Sequence, residues 1–146
     1  MEISNRQYRE RVEDFLKRQH FMHHIGFNLD HVEYGKTEGR MPIRQEHKQQ
    51  KGLVHGGLIA TVADIVAGFA AYTVVPENHH VVTGEIKISY FQPGRGDELV
   101  ARGYVVKPGK KLQFCEAEIF TVTDGKETLI AKATTTMVTI FPRPAD

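Results

Sequence analysis

The segment KGLVHGGLIATVADIVAGFAAYTVV, residues 51–75, carries the main structural signal of the sequence. Its apolar and small residues favour a helix from about Gly56 to Thr73. Asp64 is the only acidic residue in the stretch. Because a carboxylate in apolar surroundings is costly unless it is paired or has a chemical role, Asp64 is the first candidate for a functional residue.

Residues 57–75 are also long enough to be compared with a membrane span. Ala, Gly and Thr are frequent in this segment, and Asp64 lies near its midpoint. A charge at that depth opposes insertion by about 2.5–3.5 kcal/mol. The segment is therefore predicted to be a buried helix of a soluble domain, with no membrane partner.

A helical wheel at about 100° per residue divides this helix into two faces. The broad face, which we expect to pack on a sheet, consists of Leu58, Ile59, Val62, Ile65, Val66 and Phe69. The opposite face, called the small stripe below, consists of Gly57, Thr61, Asp64 and Gly68. Small residues allow another helix or a ligand to approach closely, so we expect a contact on this side.

The start of the helix offers a second group suited to chemistry. Gly56 and Gly57 lie there, where free backbone N–H groups and the positive end of the helix dipole can polarise a carbonyl or hold an anion. Asp64 lies about 10.5 Å further along the axis than Gly57, beyond the reach of its side chain. Two antiparallel helices packed by their small stripes would bring each Asp64 beside the other helix start. We therefore expect a homodimer with two shared sites.

The chain is predicted to open with an amphipathic helix. Ser4 is expected to be its N-cap, Gln7 to complete a capping box, and Ile3 to pack on Tyr8. The helix is expected to end near Arg18 to His20. The segment 1–25 as a whole is then expected to pack on the rest of the chain.

The remainder of the chain shows strand patterns. Residues 26–44 favour two strands around a turn at 34–36, and period-two alternation favours four more strands. These four segments are 81–91, 97–107, 111–122 and 128–141, separated by turn residues. Alternation puts Glu85 on the face of Thr83, as a solvated or interface charge. The sum predicts an α+β fold, with an antiparallel six-stranded sheet wrapped around the long helix, in a single domain over 1–146.

Composition narrows the classes of function. The chain has 146 residues, a formal net charge of +1, 40% hydrophobic residues and 25% charged residues, which gives no strong field for nucleic acid. The single cysteine, Cys115, is expected to be a buried core thiol and fits a reducing, cytoplasmic location. His20, His23 and His24 lack acidic or cysteine partners at a ligand spacing, so no metal site and no cofactor are predicted.

Two stretches together resemble a known family. GLVHGGLIATVAD, residues 52–64, followed by TGEIKISYFQPGRGDELVARGYVVKPGKKL, residues 83–112, is similar to the hotdog-fold acyl-CoA thioesterases of the PaaI, or phenylacetate-pathway, type. The similarity covers about residues 26–140. It rests on HGG followed after six residues by an acid, and on a strand that ends in Tyr-x-x-Pro. The resemblance implies a hotdog fold, in homodimers that often pair into homotetramers.

The resemblance also implies roles for individual residues. Asp64 would be the catalytic acid, as general base on water or as nucleophile. The backbone N–H of Gly56 would polarise the thioester carbonyl from the partner subunit, and Thr83 would help to hold the water or the acid. Gln49, with Gln50 beside it, stands where the family often has asparagine and could orient a carbonyl.

Other candidates follow from the chemistry that the substrate requires. His55 is either a general base or, as the commoner role, a residue that holds the turn before the helix. Gly57 is expected to assist binding beside Gly56, unless both are simply tight-turn glycines. Lys107, Lys110 and Lys111 are expected to bind the phosphates of CoA, unless they are only a polar turn.

The predicted function is hydrolysis of an acyl-CoA thioester to a free acid and CoA. This reaction needs a positioned base and donors where the oxyanion develops. Two alternatives stay open: a hotdog dehydratase or hydratase acting on 3-hydroxyacyl thioesters, and a non-catalytic acyl-CoA-binding protein. The HGG-x6-Asp spacing argues against the first. Against a sensor that binds DNA, the segment before Gly26 is expected to hold only one helix.

Overall fold

The structure, a computed structural model, describes residues 7–144. The predicted N-cap at Ser4 and the predicted contact of Ile3 lie outside this range. Helix α1 begins at Tyr8, and the side chain of Gln7 before it makes no capping hydrogen bond. The start of α1 within the described residues is therefore not set by a side-chain cap.

The N-terminal segment holds two helices instead of the predicted one. Helix α1 spans Tyr8–Leu16, and helix α2 spans His20–Ile25. Helix α2 ends at Gly26, whose φ of 83° is the left-handed conformation that favours glycine after a helix. The prediction of a single helix ending near residues 18–20 is wrong, because the chain turns after α1 and becomes helical again.

The strands form one antiparallel sheet across residues 7–144. They are β1 (Asn28–Glu33), β2 (Lys36–Pro42), β3 (His80–Tyr90), β4 (Glu98–Lys107), β5 (Leu112–Thr123) and β6 (Lys126–Ile140). Their order across the sheet is β1-β2-β4-β5-β6-β3, so β3 lies at an edge. This arrangement confirms the predicted α+β class, the first hairpin, and the meander of the last three strands.

The long helix α3 spans Gly56–Val74 and lies in the concave side of the sheet. Its broad face is buried in the core, although Leu58 and Ile65 at its margins are only partly buried. The small stripe is the less buried side of the helix.

Helix α3 is long and apolar enough to cross a membrane by length and composition, but 56% of its most apolar 18-residue segment is buried inside the fold. The prediction of a core helix is confirmed.

Strand β4 approaches the backbone of α3 closely because it carries glycine at the point of contact. A Cβ atom on Gly103 would lie 2.4 Å from the carbonyl carbon of Val66 and 2.7 Å from the backbone nitrogen of Ala67. Beside it, the Oγ1 of Thr37 donates a hydrogen bond of 2.7 Å to the carbonyl oxygen of Val66. These two residues fix the distance of the middle of α3, just beyond Asp64, from the sheet.

Gly103→Ala is expected to destabilise the fold strongly. The added methyl would meet helix backbone, which cannot rotate away, so the loss exceeds the common range for overpacking and should reach about 3 kcal/mol or more. Urea unfolding followed by circular dichroism measures this as a lower midpoint at an unchanged slope. An unchanged midpoint would contradict the close contact between β4 and α3.

Strand β3 contains a bulge that reverses the expected face of one residue. Thr83 pairs with Met137 on β6, whereas Glu85 pairs with Thr136, so Gly84 is the extra residue. A bulge shifts alternation by one position, and Glu85 therefore lies on the outer face of the sheet. The prediction that Glu85 shares the face of Thr83 is wrong for this reason.

Candidate active site

Asp64 and Thr83 are brought together by the packing of α3 on β3. The Oγ1 of Thr83 donates a hydrogen bond of 2.7 Å to the Oδ1 of Asp64. Asp64 is partly buried on the uncovered side of the helix, and both residues line a cavity of about 190 Å³. Because Thr83 occupies one carboxylate oxygen, the other is left for a water molecule or a substrate.

The start of α3 leaves one backbone donor without a partner. His55 is the N-cap, and its Nδ1 accepts a hydrogen bond of 2.9 Å from the N–H of Gly57. His55 therefore holds the turn, as its commoner predicted role requires. Among the described residues, nothing accepts a hydrogen bond from the N–H of Gly56. Gly57 has no free N–H to offer in this chain, whereas Gly56 has one at the positive end of the helix.

Tyr90 anchors the same helix start from the end of β3. Its hydroxyl donates a hydrogen bond of 2.7 Å to the carbonyl oxygen of Gly56. Burial raises the pKa of Tyr90, so the phenol stays protonated and keeps donating at neutral pH. In the sequence, Tyr90 is marked only by the Tyr-x-x-Pro pattern, and its contact with Gly56 is not among the predictions. The pattern itself was the signal that could have directed attention to it.

Gln49, and not its neighbour, lies beside the helix start. The Oε1 of Gln49 accepts a hydrogen bond from the backbone N–H of Lys51, which leaves its Nε2 group as a donor. Gln49 and Gly56 line the same cavity, whose volume is about 420 Å³. Gln50 is exposed to solvent. A role for an amide at this site is therefore better assigned to Gln49, and it stays a prediction.

The predicted catalytic residues form two groups on the chain. Gly56 and Gln49 line one cavity, while Asp64 and Thr83 line another. Gly56 and Asp64 are separated by about 12 Å along the axis of α3. Each group is fastened by one hydrogen bond between α3 and β3, from Tyr90 to Gly56 and from Thr83 to Asp64. The chain therefore carries two half-sites.

The three predicted lysine ligands lie around the turn between β4 and β5. Lys107, Lys110 and Lys111 are all exposed. The carbonyl of Lys111 accepts a hydrogen bond of 2.7 Å from the N–H of Thr139, which places this turn beside the end of β6. Met137, two residues before Thr139 on β6, pairs with Thr83 on β3. The lysines therefore lie at the end of the sheet where Thr83 contacts Asp64. Their role in phosphate binding stays a prediction.

Cys115 is confirmed as a buried core thiol. It is 2% exposed, and burial raises the pKa of its thiol to about 12. A thiol with that pKa is protonated at neutral pH and is a poor nucleophile. It is also shielded from thiol reagents in the folded protein.

Over residues 7–144, no three His, Cys, Asp or Glu side chains come together as they would around a metal ion.

The fold and the two half-sites define a class of protein. A long helix that bears a carboxylate on its uncovered side and a free N–H at its start, wrapped by an antiparallel sheet, is the hotdog arrangement of a thioester hydrolase. The family model of the thioesterase superfamily matches residues 51–128, more than half of the chain. The chain belongs to the thioesterase superfamily.

Individual relatives agree with this family. The chain is 28% identical over 120 residues to acyl-coenzyme A thioesterase 13 of Homo sapiens, covering 81% of this chain and 85% of that protein. A solved thioesterase family protein from Silicibacter pomeroyi is 34% identical with a TM-score of 0.90, over 92% of this chain and 98% of that one. A thioesterase from Haemophilus influenzae shares the fold, with a TM-score of 0.79, 22% identity and 87% of each chain covered. The hotdog fold and thioester hydrolysis, both predicted from the sequence, are confirmed.

Proposed function

We propose that the protein hydrolyses acyl-CoA thioesters to a free acid and CoA in a homodimer with two shared sites. Each site takes Asp64 and Thr83 from one subunit and Gly56 and Gln49 from the other. The observation that carries this proposal is the separation of the two half-sites on one chain, both next to the uncovered side of α3. One relative is named acyl-coenzyme A thioesterase 13, which supports acyl-CoA as the class of substrate.

The exposed edge of the sheet supports the dimer. Strand β3 is an edge strand of 11 residues, with large apolar side chains exposed at Val82 (51%), Ile86 (37%) and Tyr90 (48%). Such an edge offers unpaired backbone groups to another strand. A second copy is the occupant that would cover the edge and the small stripe of α3 together. Further pairing of dimers into tetramers stays a prediction.

A two-fold axis near the middle of β3 would complete both sites. Thr83 and Tyr90 lie towards opposite ends of this strand, and each is tied to one half-site. Antiparallel pairing centred on Ile86 brings the Asp64 half-site of one chain beside the Gly56 half-site of the other. The same register puts Glu85 opposite Lys87 of the partner subunit, both on the outer face, which is a favourable cross-strand charge pair.

The chemistry follows from these positions. Asp64 takes a proton from water as the water oxygen bonds to the thioester carbonyl carbon, while Thr83 positions the carboxylate. The developing oxyanion accepts hydrogen bonds from the N–H of Gly56 and from the Nε2 of Gln49. Collapse of the tetrahedral intermediate breaks the C–S bond, and the departing sulfur takes the proton from Asp64, so that CoA leaves as the thiol and Asp64 returns to the carboxylate. Direct attack by Asp64 as nucleophile is the other route that this geometry supports.

Thiol release from a panel of acyl-CoA esters tests the proposal. We expect turnover of at least one aryl or fatty acyl-CoA by a protein whose mass in solution is that of a dimer or of a multiple of dimers. A monomer with full activity would contradict the shared site. Absence of thiol release from every ester, with retained CoA binding or with hydration of an enoyl-CoA, would favour the binding protein or the hydratase instead.

A further inference from the structure

A large cavity lies beside the Asp64 half-site. Its volume is about 750 Å³, and it is bounded by α1, the end of α3, the start of β3 and residues 140–143. Tyr72 forms part of its wall and also lines the cavity that contains Asp64 and Thr83. Because Tyr72 belongs to both walls, the two cavities are neighbours.

The lining of the larger cavity carries an excess of positive charge. Among the described residues, Arg11, Arg18 and Arg143 line it, against one carboxylate, that of Asp14. The Oδ1 of Asp14 also lies 4.0 Å from the Nζ of Lys17, a residue outside the lining. An arginine cluster of this kind recognises phosphate groups, with its N–H donors in a fixed fork.

Two of the arginines have no carboxylate partner among residues 7–144. Arg11 donates to the carbonyl oxygens of Pro76 at 3.2 Å and His79 at 2.8 Å, which position its guanidinium without cancelling its charge. Arg18 is exposed, and its guanidinium carbon lies 5.3 Å from the ring centre of Phe15. Both charges are available to an anion in the cavity.

Aromatic rings line the same cavity. The ring centres of Phe15 and Tyr72 are 4.7 Å apart. The rings of Tyr72 and His80 are nearly parallel, at 9°, with centres 6.4 Å apart. Tyr72 is buried, with the guanidinium carbon of Arg11 4.7 Å from its ring centre. The exposed ring of His80 is therefore the one on which a base can stack, while the phosphates pair with the guanidinium groups nearby.

The cavity at the other half-site has the opposite character. Those residues of 7–144 that line it carry no formal charge and are mostly apolar or aromatic: Gln49, Leu53, Val54, Gly56, Ile59, Tyr90, Phe91, Gln92, Pro93 and Gly94. An acyl group is favoured in such surroundings, whereas a polyphosphate is not. The difference in charge between the two cavities orients the substrate: its phosphates are favoured in the arginine-lined cavity and its acyl group in the Gly56 cavity.

We infer that the arginine-lined cavity holds the phosphorylated adenosine end of CoA, and that the acyl group points towards the Gly56 cavity of the partner subunit. This inference rests on the proposed function. It assigns phosphate recognition chiefly to Arg11, Arg18 and Arg143, in preference to the exposed lysines of the β4–β5 turn. It also gives helix α1 a role in substrate binding, since α1 supplies Arg11 and Arg18.

Binding of CoA and of adenosine 3′,5′-bisphosphate, measured by calorimetry without turnover, tests the inference. We expect the double variant Arg18→Gln/Arg143→Gln to bind both probes at least about tenfold more weakly than wild type, as loss of charged hydrogen bonds implies. Arg9→Gln is the control for charge on α1, because it removes one positive charge, where the double variant removes two, from an exposed position outside the cavity. It should bind both probes as wild type does.

Three results would overturn the inference. One is equal binding of the bisphosphate by wild type and the double variant. Another is a loss of binding in Lys110→Gln/Lys111→Gln that the arginine variant does not show. The third is binding of inorganic phosphate as tight as that of the bisphosphate, which would mark a general anion site.

Kinetics separate this inference from the proposed function. The double arginine variant should raise KM for an acyl-CoA about tenfold and leave the hydrolysis of the matching pantetheine thioester unchanged, because that substrate lacks the nucleotide. If wild type binds the bisphosphate through these arginines but hydrolyses no thioester, the proposed function fails and the nucleotide site stands. If both thioesters are affected equally, the arginines act on the fold and the site is refuted.

Discussion

Asp64→Asn is expected to lower kcat for thiol release by at least about two orders of magnitude, the usual contribution of a general base. Asparagine has the same shape as aspartate, and its Oδ1 can still accept the hydrogen bond from Thr83. The substitution therefore removes the proton acceptor, or the nucleophile, and little else. Steady-state assays with the best substrate of the acyl-CoA panel measure the effect.

Asp97→Asn is the matched control for that substitution. Asp97 is exposed before β4 and lines neither the Asp64 cavity nor the Gly56 cavity. It should keep wild-type activity. Equal activity of Asp64→Asn and wild type, with both proteins folded, would show that Asp64 is a structural acid and would remove the base from the proposed mechanism.

Gly56→Pro is expected to reduce kcat by about 10²–10³, the effect of deleting one oxyanion donor. Gly56 is the first residue of α3, where proline is well tolerated because its missing N–H has no partner within the helix. His55 before it already has φ −62° and ψ 131°, the conformation that a following proline requires. The substitution therefore deletes the N–H while the helix is retained.

Gly56→Ala controls for the bulk that proline adds. Alanine keeps the N–H, and a Cβ atom here would lie 3.5 Å from the ring of Tyr90, an ordinary van der Waals distance. We expect it to retain most of the wild-type activity. Comparable losses in the alanine and proline variants would mean that Gly56 is needed for space, and the donor role would be refuted.

The central helix could be predicted from the sequence because its pattern is local. A period of 3.6 residues, with His55 before it, located the start of α3 at Gly56 and put Asp64 on the uncovered side. The same pattern gave the spacing of Gly56 and Asp64, and with it the expectation of two half-sites. Strand bounds followed from alternation to within two residues.

Contacts between distant segments could not be predicted in this way. The hydrogen bond from Tyr90 to Gly56 joins residues 34 positions apart and depends on how β3 packs on α3. The bulge at Gly84 reverses the face of Glu85, and alternation contains no signal for it. The arginine-lined cavity needs α1, α3 and the residues after β6 to meet, which no single stretch of sequence shows.

A mixed dimer of Asp64→Asn and Gly56→Pro subunits tests the shared site most directly. Co-expression with two different tags allows the mixed dimer to be purified away from both parents. One of its two sites combines the intact Asp64 of one subunit with the intact Gly56 of the other. If the two subunits share each site, the mixed dimer has about half of the wild-type activity, although each parent dimer is nearly inactive. A mixed dimer as inactive as its parents would show that both groups act within one chain and would contradict a site shared between subunits.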